Sequence, residues 1–288
     1  MPKRIKLIEC PRDAMQGLLY FIPTETKIQY LKTLMDVGFD TIDFGSFVSA
    51  KAIPQMADTH ELTKAVSTYH SDTNLLAIIA NLRGAEEAVQ YKHIQYLGFP
   101  FSVSETFQIR NTNSTIEQSK DRVKSISELC FTNNKQLVVY LSMAFGNPYG
   151  DAWSAEVLSR YIEELRKYGI SIFALSDTIG IASPESIYYL FESLIPLYPE
   201  IEIGAHLHTT PHTWKEKVAA ASLAGCNRFD GAIRGFGGCP MAKDELTGNM
   251  PMENLISFFN TPEYETGINL NKFTQAMELS STIFRSDH

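Results

Sequence analysis

Short apolar runs alternate with amphipathic stretches of helical length along nearly the whole chain of 288 residues. The runs are rich in Val, Ile, Leu and Phe, which is typical of parallel strands covered by helices. Eight such units within about 260 residues fit a (β/α)8 barrel better than an open doubly wound sheet. The predicted strands are Ile5–Cys10, Thr41–Phe47, Leu75–Ala80, His93–Phe101, Gln136–Phe145, Ile172–Ser176, Glu202–His208 and Phe229–Arg234.

Helical stretches separate these strands. The longest of them begins with Thr115 and Gln118 at the spacing of a capping box. No Pro-, Gly- or Ser-rich linker interrupts the series. We therefore predict one α/β domain over residues 1–288. It is expected to be a (β/α)8 TIM barrel of about residues 5–260 with a C-terminal helical extension of about residues 270–286.

The composition excludes several classes of partner. A net charge of −8 argues against binding to a nucleic-acid backbone, which requires a basic face. No apolar run approaches the ~20 residues of a membrane span, so we expect no membrane association. The four cysteines are scattered without a CxxC pair, which favours reduced thiols over a disulfide framework or a zinc ribbon. We therefore expect a cytoplasmic protein.

Polar residues that could carry chemistry follow the ends of several predicted strands. The carboxyl ends of barrel strands meet at one face, where catalytic residues gather. Residues far apart in the chain are thus expected to converge in space. These residues are Arg12, Asp13, Asp43, Ser46, Asp177, His206, His208 and Cys239.

His206 and His208 lie two positions apart on one predicted strand, so both imidazoles point to the same side of the sheet. Asp13 after the first strand and Asn249 near the end of the chain offer oxygen ligands. A carboxylate, an amide and two imidazoles without a thiolate suit Mg²⁺ or Mn²⁺. We therefore predict a divalent-metal site, and the alternative is ordinary polar surface at a strand end.

Three further residues are candidates for catalysis. Arg12 would hold a cation over a developing oxyanion, or it would form a structural ion pair with Asp43. Asp177 would hydrogen-bond a ligand or orient an imidazole, or it would cap the following turn. Cys239 in its Gly-rich segment would transfer a proton, or it would be inert packing.

The candidate residues lie within short motifs, each weak alone and specific in this combination and order. The motifs are Pro11–Gln16, Gly45–Ser49, Pro54–Asp58, Ser104–Phe107, Asn113–Glu117, Gly146–Tyr149, Ser176–Gly180, Ala205–His208, Gly235–Pro240 and Gly248–Asn249. From about Ile5 to Leu270 the chain resembles the hydroxymethylglutaryl-CoA lyase family. That family belongs to the wider group of metal-dependent pyruvate-carboxyltransferase/HMGL-like barrel enzymes.

The resemblance implies cleavage of 3-hydroxy-3-methylglutaryl-CoA, an acyl-CoA, to acetoacetate and acetyl-CoA with Mg²⁺ or Mn²⁺, in a barrel of a kind that often forms homodimers. In that scheme Asp13 or His206 takes the hydroxyl proton, Arg12 stabilises the thioester enolate, and Cys239 returns a proton. Asp177 completes the expected catalytic set. The implied metal ligands are Asp13, His206, His208 and Asn249, and the expected substrate-binding residues are Gln16, Asp43 and Ser46.

The chain departs from the family pattern around these residues. The acidic residue usual four positions before the arginine is Ile8, with Glu9 one step on. The glutamate of the second strand is Asp43, and the aspartate usual after the two histidines is Thr209. Further departures near the cysteine are Arg234, Phe236 and Met241.

These departures leave alternative functions open. One is a related aldolase or lyase acting on another acyl-CoA or on a 2-oxo acid. Another is a non-catalytic metal-binding homologue that kept the barrel. A condensing synthase of the same wider group is disfavoured, because such enzymes generally carry a longer C-terminal extension.

Overall fold

The computed structural model, which describes residues 2–238 and 247–284, is built around a closed barrel of eight parallel strands. Each strand pairs with the next along the chain, and the eighth pairs with both the seventh and the first. The predicted (β/α)8 barrel is therefore confirmed. The strands are β1 Lys6–Glu9, β2 Thr41–Ser46, β3 Asn74–Ile78, β4 Tyr96–Ser102, β5 Gln136–Ser142, β6 Ile172–Ser176, β7 Glu202–His206 and β8 Arg228–Gly231.

Helices surround the barrel. They are α1 Pro11–Gln16, α2 Thr24–Met35, α3 Thr59–Val66, α4 Leu82–Ala88, α5 Glu105–Thr112, α6 Ile116–Thr132, α7 Ala155–Arg166, α8 Pro184–Leu194, α9 Trp214–Leu223, α10 Met252–Phe259 and α11 Leu270–Ile283. Single 3₁₀ turns occur at Pro54–Met56 and Ile195–Leu197, and Ile233–Gly235 forms a turn with non-helical backbone angles at Arg234. Within residues 2–238 and 247–284, no helix has the length and apolar character needed to cross a membrane.

Local sequence explains where several helices begin. The predicted capping box of Thr115 and Gln118 is present at the start of α6. Asn81 and Ser104 likewise accept a hydrogen bond from the backbone of the following first turn. Such a cap typically contributes about 1 kcal/mol to the stability of its helix. The pattern did not predict α1, α3, α5 and α10, because helices of only six to eight residues show too little periodicity.

The seventh predicted strand is shorter than expected, and this difference shapes the upper face of the barrel. β7 ends at His206, because its neighbour β8 pairs with it only as far as Asp230. The chain then forms a second short strand, His208–Thr209, which pairs antiparallel with Gly248–Asn249. A separate two-stranded sheet at the other end joins Lys3–Arg4 to Tyr264–Glu265.

The predicted C-terminal helix is present as α11 and packs against α2. Lys272 Nζ donates to Asp36 Oδ2 over 3.1 Å. The rings of Phe273 and Phe39 meet edge to face, as do those of Phe284 and Tyr30. These contacts attach the helix to the barrel on the side of the first βα unit.

The barrel interior is a small apolar core capped by polar groups. Its apolar residues are Leu76, Ile78, Val138, Tyr140, Ile172 and Ala174. A much larger core fills the space between the barrel and its helices. The interior core supports the strand ends from below, so side chains at the carboxyl ends of the strands sit on a packed base.

Gly84 in α4 tests how closely the helices approach the barrel. A Cβ at this position would lie 2.6 Å from the carbonyl oxygen of Phe47, a backbone atom that cannot rotate away. We expect Gly84→Ala to cost about 1–3 kcal/mol of unfolding free energy, and each kcal/mol should lower the Tm by about 2–4 °C. Thermal unfolding followed by circular dichroism measures this change.

Gly17→Ala is the matched control, because no atom lies within 4 Å of its added Cβ and its φ of −91° suits alanine. Its Tm should stay at the wild-type value. Equal Tm losses in the two variants would contradict the close packing of α4.

Candidate active site

A cavity of about 440 Å³ opens at the carboxyl ends of the barrel strands. Its lining is divided between polar and apolar side chains. The polar and charged lining residues include Arg12, Asp13, Gln16, Asn111, Thr112, Ser142, Ser176, Thr178, His206 and His208. The apolar lining residues include Val48, Ala52, Ile53, Ile78, Ala80, Pro100 and Phe107. A polar small molecule with an apolar portion fits such a site.

Three of the predicted ligands converge beside this cavity. Asp13 lies in α1, which begins directly after β1 because Pro11 occupies the first helical position. His206 ends β7, and His208 lies on the short strand that follows. One carboxylate oxygen and one nitrogen from each imidazole all lie within 4.8 Å of one another. That spacing is suitable for a single metal ion.

Asn249 reaches the same place through the short antiparallel sheet. It is the register partner of His208 and is only 3% exposed. Its Nδ2 donates to the carbonyl oxygen of Phe236 over 2.9 Å, and its side chain also hydrogen-bonds Asp13. The fourth predicted ligand therefore lies next to the first, although the two are far apart in the sequence.

Asp230 on β8 is a site residue that sequence reasoning missed. Its Oδ2 lies 3.2 Å from Nδ1 of His206, while Nε2 of the same ring lies 3.8 Å from Oδ2 of Asp13. A carboxylate at one ring nitrogen favours a proton there and leaves a lone pair on the other nitrogen, as in many metal-binding histidines. The available signal was an acidic residue in a predicted strand, two positions after an arginine.

A chain of alternating charges continues below this pair. Nε of Arg228 lies 3.8 Å from Oδ1 of Asp230, and its Nη1 donates to Glu202 over 3.1 Å. Glu202 in turn pairs with Lys6 at the edge of the barrel. Arg228 is only 1% exposed, so its charge is stabilised by these two carboxylates rather than by water.

The negative charge of this cluster, and its buried nitrogen atoms without hydrogen-bond partners, suit a divalent cation. Asp13 and Asp230 place two carboxylates against His206, and Asp43 pairs with Arg12 beside them, so that three carboxylates face two cations, Arg12 and Arg228. His208 is 4% exposed, yet neither ring nitrogen has a hydrogen-bond partner of good geometry among the described residues. Buried polar atoms normally have partners, so an imidazole left in this state is ready to accept a metal ion.

Arg12 forms a fork between two carboxylates. Its Nε donates to both oxygens of Asp43 at 3.2 and 3.1 Å, and its Nη2 also binds Asp43. Its Nη1 donates to Asp13 Oδ1 over 3.2 Å and to Gln16 Oε1 over 3.0 Å. The register of β2 shifts between Asp43 and Gly45, so Asp43 lies beside a β-bulge. The ion pair between Arg12 and Asp43, one of the two alternatives predicted from the sequence, is present. The guanidinium of Arg12 also lines the cavity.

The pKa shifts follow from burial and from these partners. Burial opposes ionisation of Asp13, but Arg12 and the two histidines bring its pKa below the ordinary value. Burial raises the pKa of Asp43 to about 6, against the effect of Arg12. Burial also lowers the pKa of His208. At His206 burial acts in the same direction, but Asp230 and Asp13 outweigh it and raise the pKa. Asp13 and His208 are therefore in the protonation states that metal ligation requires, whereas a protonated His206 must release a proton to bind.

Asp177 is occupied by partners from the chain itself. Its Oδ1 accepts from the backbone N–H of Ala182 over 3.0 Å, and its Oδ2 accepts from Lys217 Nζ over 2.9 Å. Lys217 also donates to the carbonyl oxygen of His208 over 2.7 Å. Asp177 therefore caps its turn and is connected to a predicted ligand through Lys217, a residue that the sequence pattern did not single out.

The remaining predicted residues differ in their placement. Gln16 lines the cavity, whereas Ser46 is buried behind it and its Oγ accepts from the backbone N–H of Val48. Cys239 and Met241 lie outside the described residues. Cys10 is buried, and its thiol lies close to His206 and Asp230.

The family departures near the site have local explanations. Glu9 is fully buried, and its Oε1 accepts from the backbone N–H of Ile233 over 3.0 Å. Thr209 is buried and pairs its hydroxyl with that of Thr213 over 2.9 Å. Neither side chain lines the cavity, so these two changes act on the segments that support the site.

Comparison with known proteins agrees with this geometry. The hydroxymethylglutaryl-CoA lyase of Bacillus subtilis is 32% identical over 276 residues, covering 96% of this chain and 91% of that protein. A crystal structure of the Bacillus subtilis HMG-CoA lyase matches with a TM-score of 0.91 at 30% identity, over 98% of this chain and 94% of that one.

An HMG-CoA lyase from Acinetobacter baumannii, solved in complex with coenzyme A and 3-methylmalate, matches with a TM-score of 0.88 at 31% identity. The match covers 97% of this chain and 90% of that one. The family model described as HMGL-like matches residues 4–279. With this match over nearly its whole length, the chain belongs to the HMGL-like family, the family of the hydroxymethylglutaryl-CoA lyases.

Proposed function

We propose that this protein is a metal-dependent carbon–carbon lyase that cleaves 3-hydroxy-3-methylglutaryl-CoA, or a close analogue, to acetoacetate and acetyl-CoA. The observation that carries the proposal is the convergence of Asp13, His206 and His208 with Arg12 at one cavity in an HMGL-like barrel. The coenzyme A bound by the Acinetobacter baumannii relative supports an acyl-CoA substrate.

The proposed metal ligands are Asp13, His206, His208 and Asn249. A divalent cation held there would lower the pKa of a substrate hydroxyl by acting as a Lewis acid. The mixed oxygen and nitrogen set favours Mg²⁺ or Mn²⁺. We also propose that the protein forms a homodimer and is located in the cytoplasm.

The cleavage itself is assigned to residues of the chain. Asp13 or His206 accepts the proton of the 3-hydroxyl, and the bond between C2 and C3 breaks as the carbonyl of acetoacetate forms. The electron pair passes to the thioester, where Arg12 stabilises the enolate oxygen. An acid then protonates the enolate carbon to give acetyl-CoA, and Cys239 is the proposed acid.

Four residues are assigned supporting roles. Gln16 accepts a hydrogen bond from Arg12 and lines the cavity, which supports the assignment of Gln16 to substrate binding. Asp43 holds Arg12 in place. Ser46, expected from the sequence to bind substrate, is buried behind the cavity, and its contact suits a supporting role through Val48, which lines the cavity. Asp177, proposed as catalytic from the sequence, has contacts that suit a positioning role through Lys217.

The central prediction concerns turnover. Purified protein with Mg²⁺ or Mn²⁺ and a reducing agent should release acetyl-CoA from 3-hydroxy-3-methylglutaryl-CoA, and EDTA should abolish the release. His206→Ala should be inactive with an unchanged circular dichroism spectrum, because it removes one ligand and the ring that Asp230 orients. Full activity in His206→Ala would exclude the proposed ligand set. Metal binding without any release would favour another acyl-CoA substrate or a non-catalytic protein.

A second prediction separates Asp230 from Asp177. Asp230→Asn removes the carboxylate partner of His206, so the Kd for Mn²⁺ should rise about 10–100-fold. Asp177→Asn leaves the buried ammonium of Lys217 unpaired, which should cost about 3–5 kcal/mol of unfolding free energy. Isothermal titration and thermal unfolding measure the two effects. If Asp177→Asn kept the wild-type Tm and lost only kcat, Asp177 would instead touch the substrate.

A third prediction concerns the guanidinium fork. Arg12→Lys keeps the charge but loses the planar geometry that serves Asp43 and the enolate oxygen together. We expect kcat to fall about 10²–10³-fold with a smaller change in KM. The matched control is Arg83→Lys on the exposed face of α4, which should have no effect. A kcat within twofold of wild type in Arg12→Lys would remove Arg12 from catalysis.

A further inference from the structure

Arg234 adopts a backbone conformation that its residue type disfavours. It follows β8 with φ 63° and ψ 8°, in the left-handed region. For a residue with a Cβ this conformation costs about 1–2 kcal/mol. Such strain persists where surrounding contacts compensate for it, and it is concentrated near functional sites. The contacts of Arg234 therefore indicate what holds this segment.

Two helices hold the segment from outside the barrel. The backbone N–H of Arg234 donates to Glu253 Oε2 in α10 over 2.9 Å. Its Nε donates to Ser280 Oγ over 3.1 Å, and its Nη2 reaches the carbonyl oxygen of Met277 at 3.4 Å. Ser280 lies in the last turn of α11, where a cation is electrostatically favoured, and Met277 lies one turn before it. The arginine thus ties the segment after β8 to the C-terminal helix.

Two aromatic rings reinforce this connection. Phe236 stacks on Phe284 with ring centroids 4.6 Å apart and an angle of 17° between the planes. Phe284 also meets Tyr30 of α2 edge to face. On the barrel side, Glu9 accepts from the N–H of Ile233, so the segment is anchored on both faces.

The segment held in this way contacts two of the proposed metal ligands. The carbonyl oxygen of Phe236 accepts from Nδ2 of Asn249. A Cβ on Gly237 would lie 2.6 Å from the carbonyl oxygen of Asp13 and 2.9 Å from Nδ2 of Asn249. Gly237 therefore packs directly against the backbone of Asp13 and the side chain of Asn249. Because Asn249 is also hydrogen-bonded to Phe236, a displacement of the segment would break or move this contact. Gly238, the next residue, lines the cavity.

We propose that Arg234 is a positioning residue of the metal site, which acts by fastening the segment 233–238 to α11 so that Phe236 and Gly237 hold Asn249 against Asp13. The expected loss of turnover rests on the proposed function. The expected loss of metal affinity rests on the contacts of the chain. Arg234 is also one of the positions at which the chain departs from its family. The C-terminal helix would then form part of the active-site support.

Arg234→Gly tests the proposal, because glycine keeps the positive φ available, without the strain, and lacks the side chain that reaches α11. After chelation, Mn²⁺ binding is measured by isothermal titration on wild type, Arg234→Gly and Arg234→Lys. We expect about a tenfold higher Kd in Arg234→Gly, within the range for supporting residues of metal sites. The kcat should fall while KM for the thioester changes little, and Arg234→Lys should recover part of both losses.

Lys272→Ala is the matched control, since it removes another charged contact of α11, to Asp36 just after α2, without touching the segment. It should leave the Kd for Mn²⁺ at the wild-type value. An unchanged Kd in Arg234→Gly, or an equal loss in Lys272→Ala, would overturn the proposal. Since Mn²⁺ binding is measured without substrate, a wild-type protein inactive toward 3-hydroxy-3-methylglutaryl-CoA would refute the proposed function and leave this test intact.

If Arg234→Gly unfolds, Arg234→Asn provides a second route to the same question, because asparagine also tolerates the left-handed conformation and its side chain is shorter than the arginine that contacts α11. Weaker Mn²⁺ binding in a folded Arg234→Asn protein would support the proposal. Wild-type Mn²⁺ affinity in that variant would overturn it.

Discussion

The register between β7 and β8 is the constraint on which the rest of the site depends. His206 and Asp230 are direct partners in that pairing, and their side chains meet at 3.2 Å. A shift of one residue would turn every side chain of β8 to the other face of the sheet. Arg228 and Asp230, two positions apart on β8, would then leave the interior together, so that His206 would lose its carboxylate partner and Arg228 would lose its contact with Glu202. The same pairing therefore closes the barrel and orients a proposed ligand.

Burial of charge at the upper end of the barrel connects stability to the proposed chemistry. Carboxylates outnumber the cations next to them around His206, and water is largely excluded. In this surrounding each charge interacts strongly with its neighbours, so Arg12 remains cationic between Asp13 and Asp43. A cation that binds only the folded chain would relieve the excess negative charge and add to stability.

The supporting contacts come from parts of the chain that do not line the cavity. Lys217 of α9 connects the turn of Asp177 to the backbone of His208. On the opposite side, Arg234 connects the segment after β8 to α11. The site is thus supported by helices outside the barrel as well as by its strands.

Much of this arrangement could be predicted from the chain alone. The alternation of apolar runs and helices was sufficient for the barrel, because each strand and helix has a local pattern. The spacing of His206 and His208 and the position of Asp13 after β1 predicted their convergence, since strand ends meet at one face. By contrast, no local pattern identified the partners of Asp230 and Lys217. A charged side chain in an apolar run does not reveal which opposite charge it will meet.

The sequence by itself therefore determined the type and order of the elements and the face on which the chemistry gathers. Only the tertiary structure decided that β7 stops at His206, that Asn249 arrives through a short antiparallel pairing, and that Arg234 links this region to the C-terminal helix. The physical reason is that these contacts join residues distant in the chain. They depend on strand register and on the packing of helices against the closed barrel, which exist only after the chain has folded.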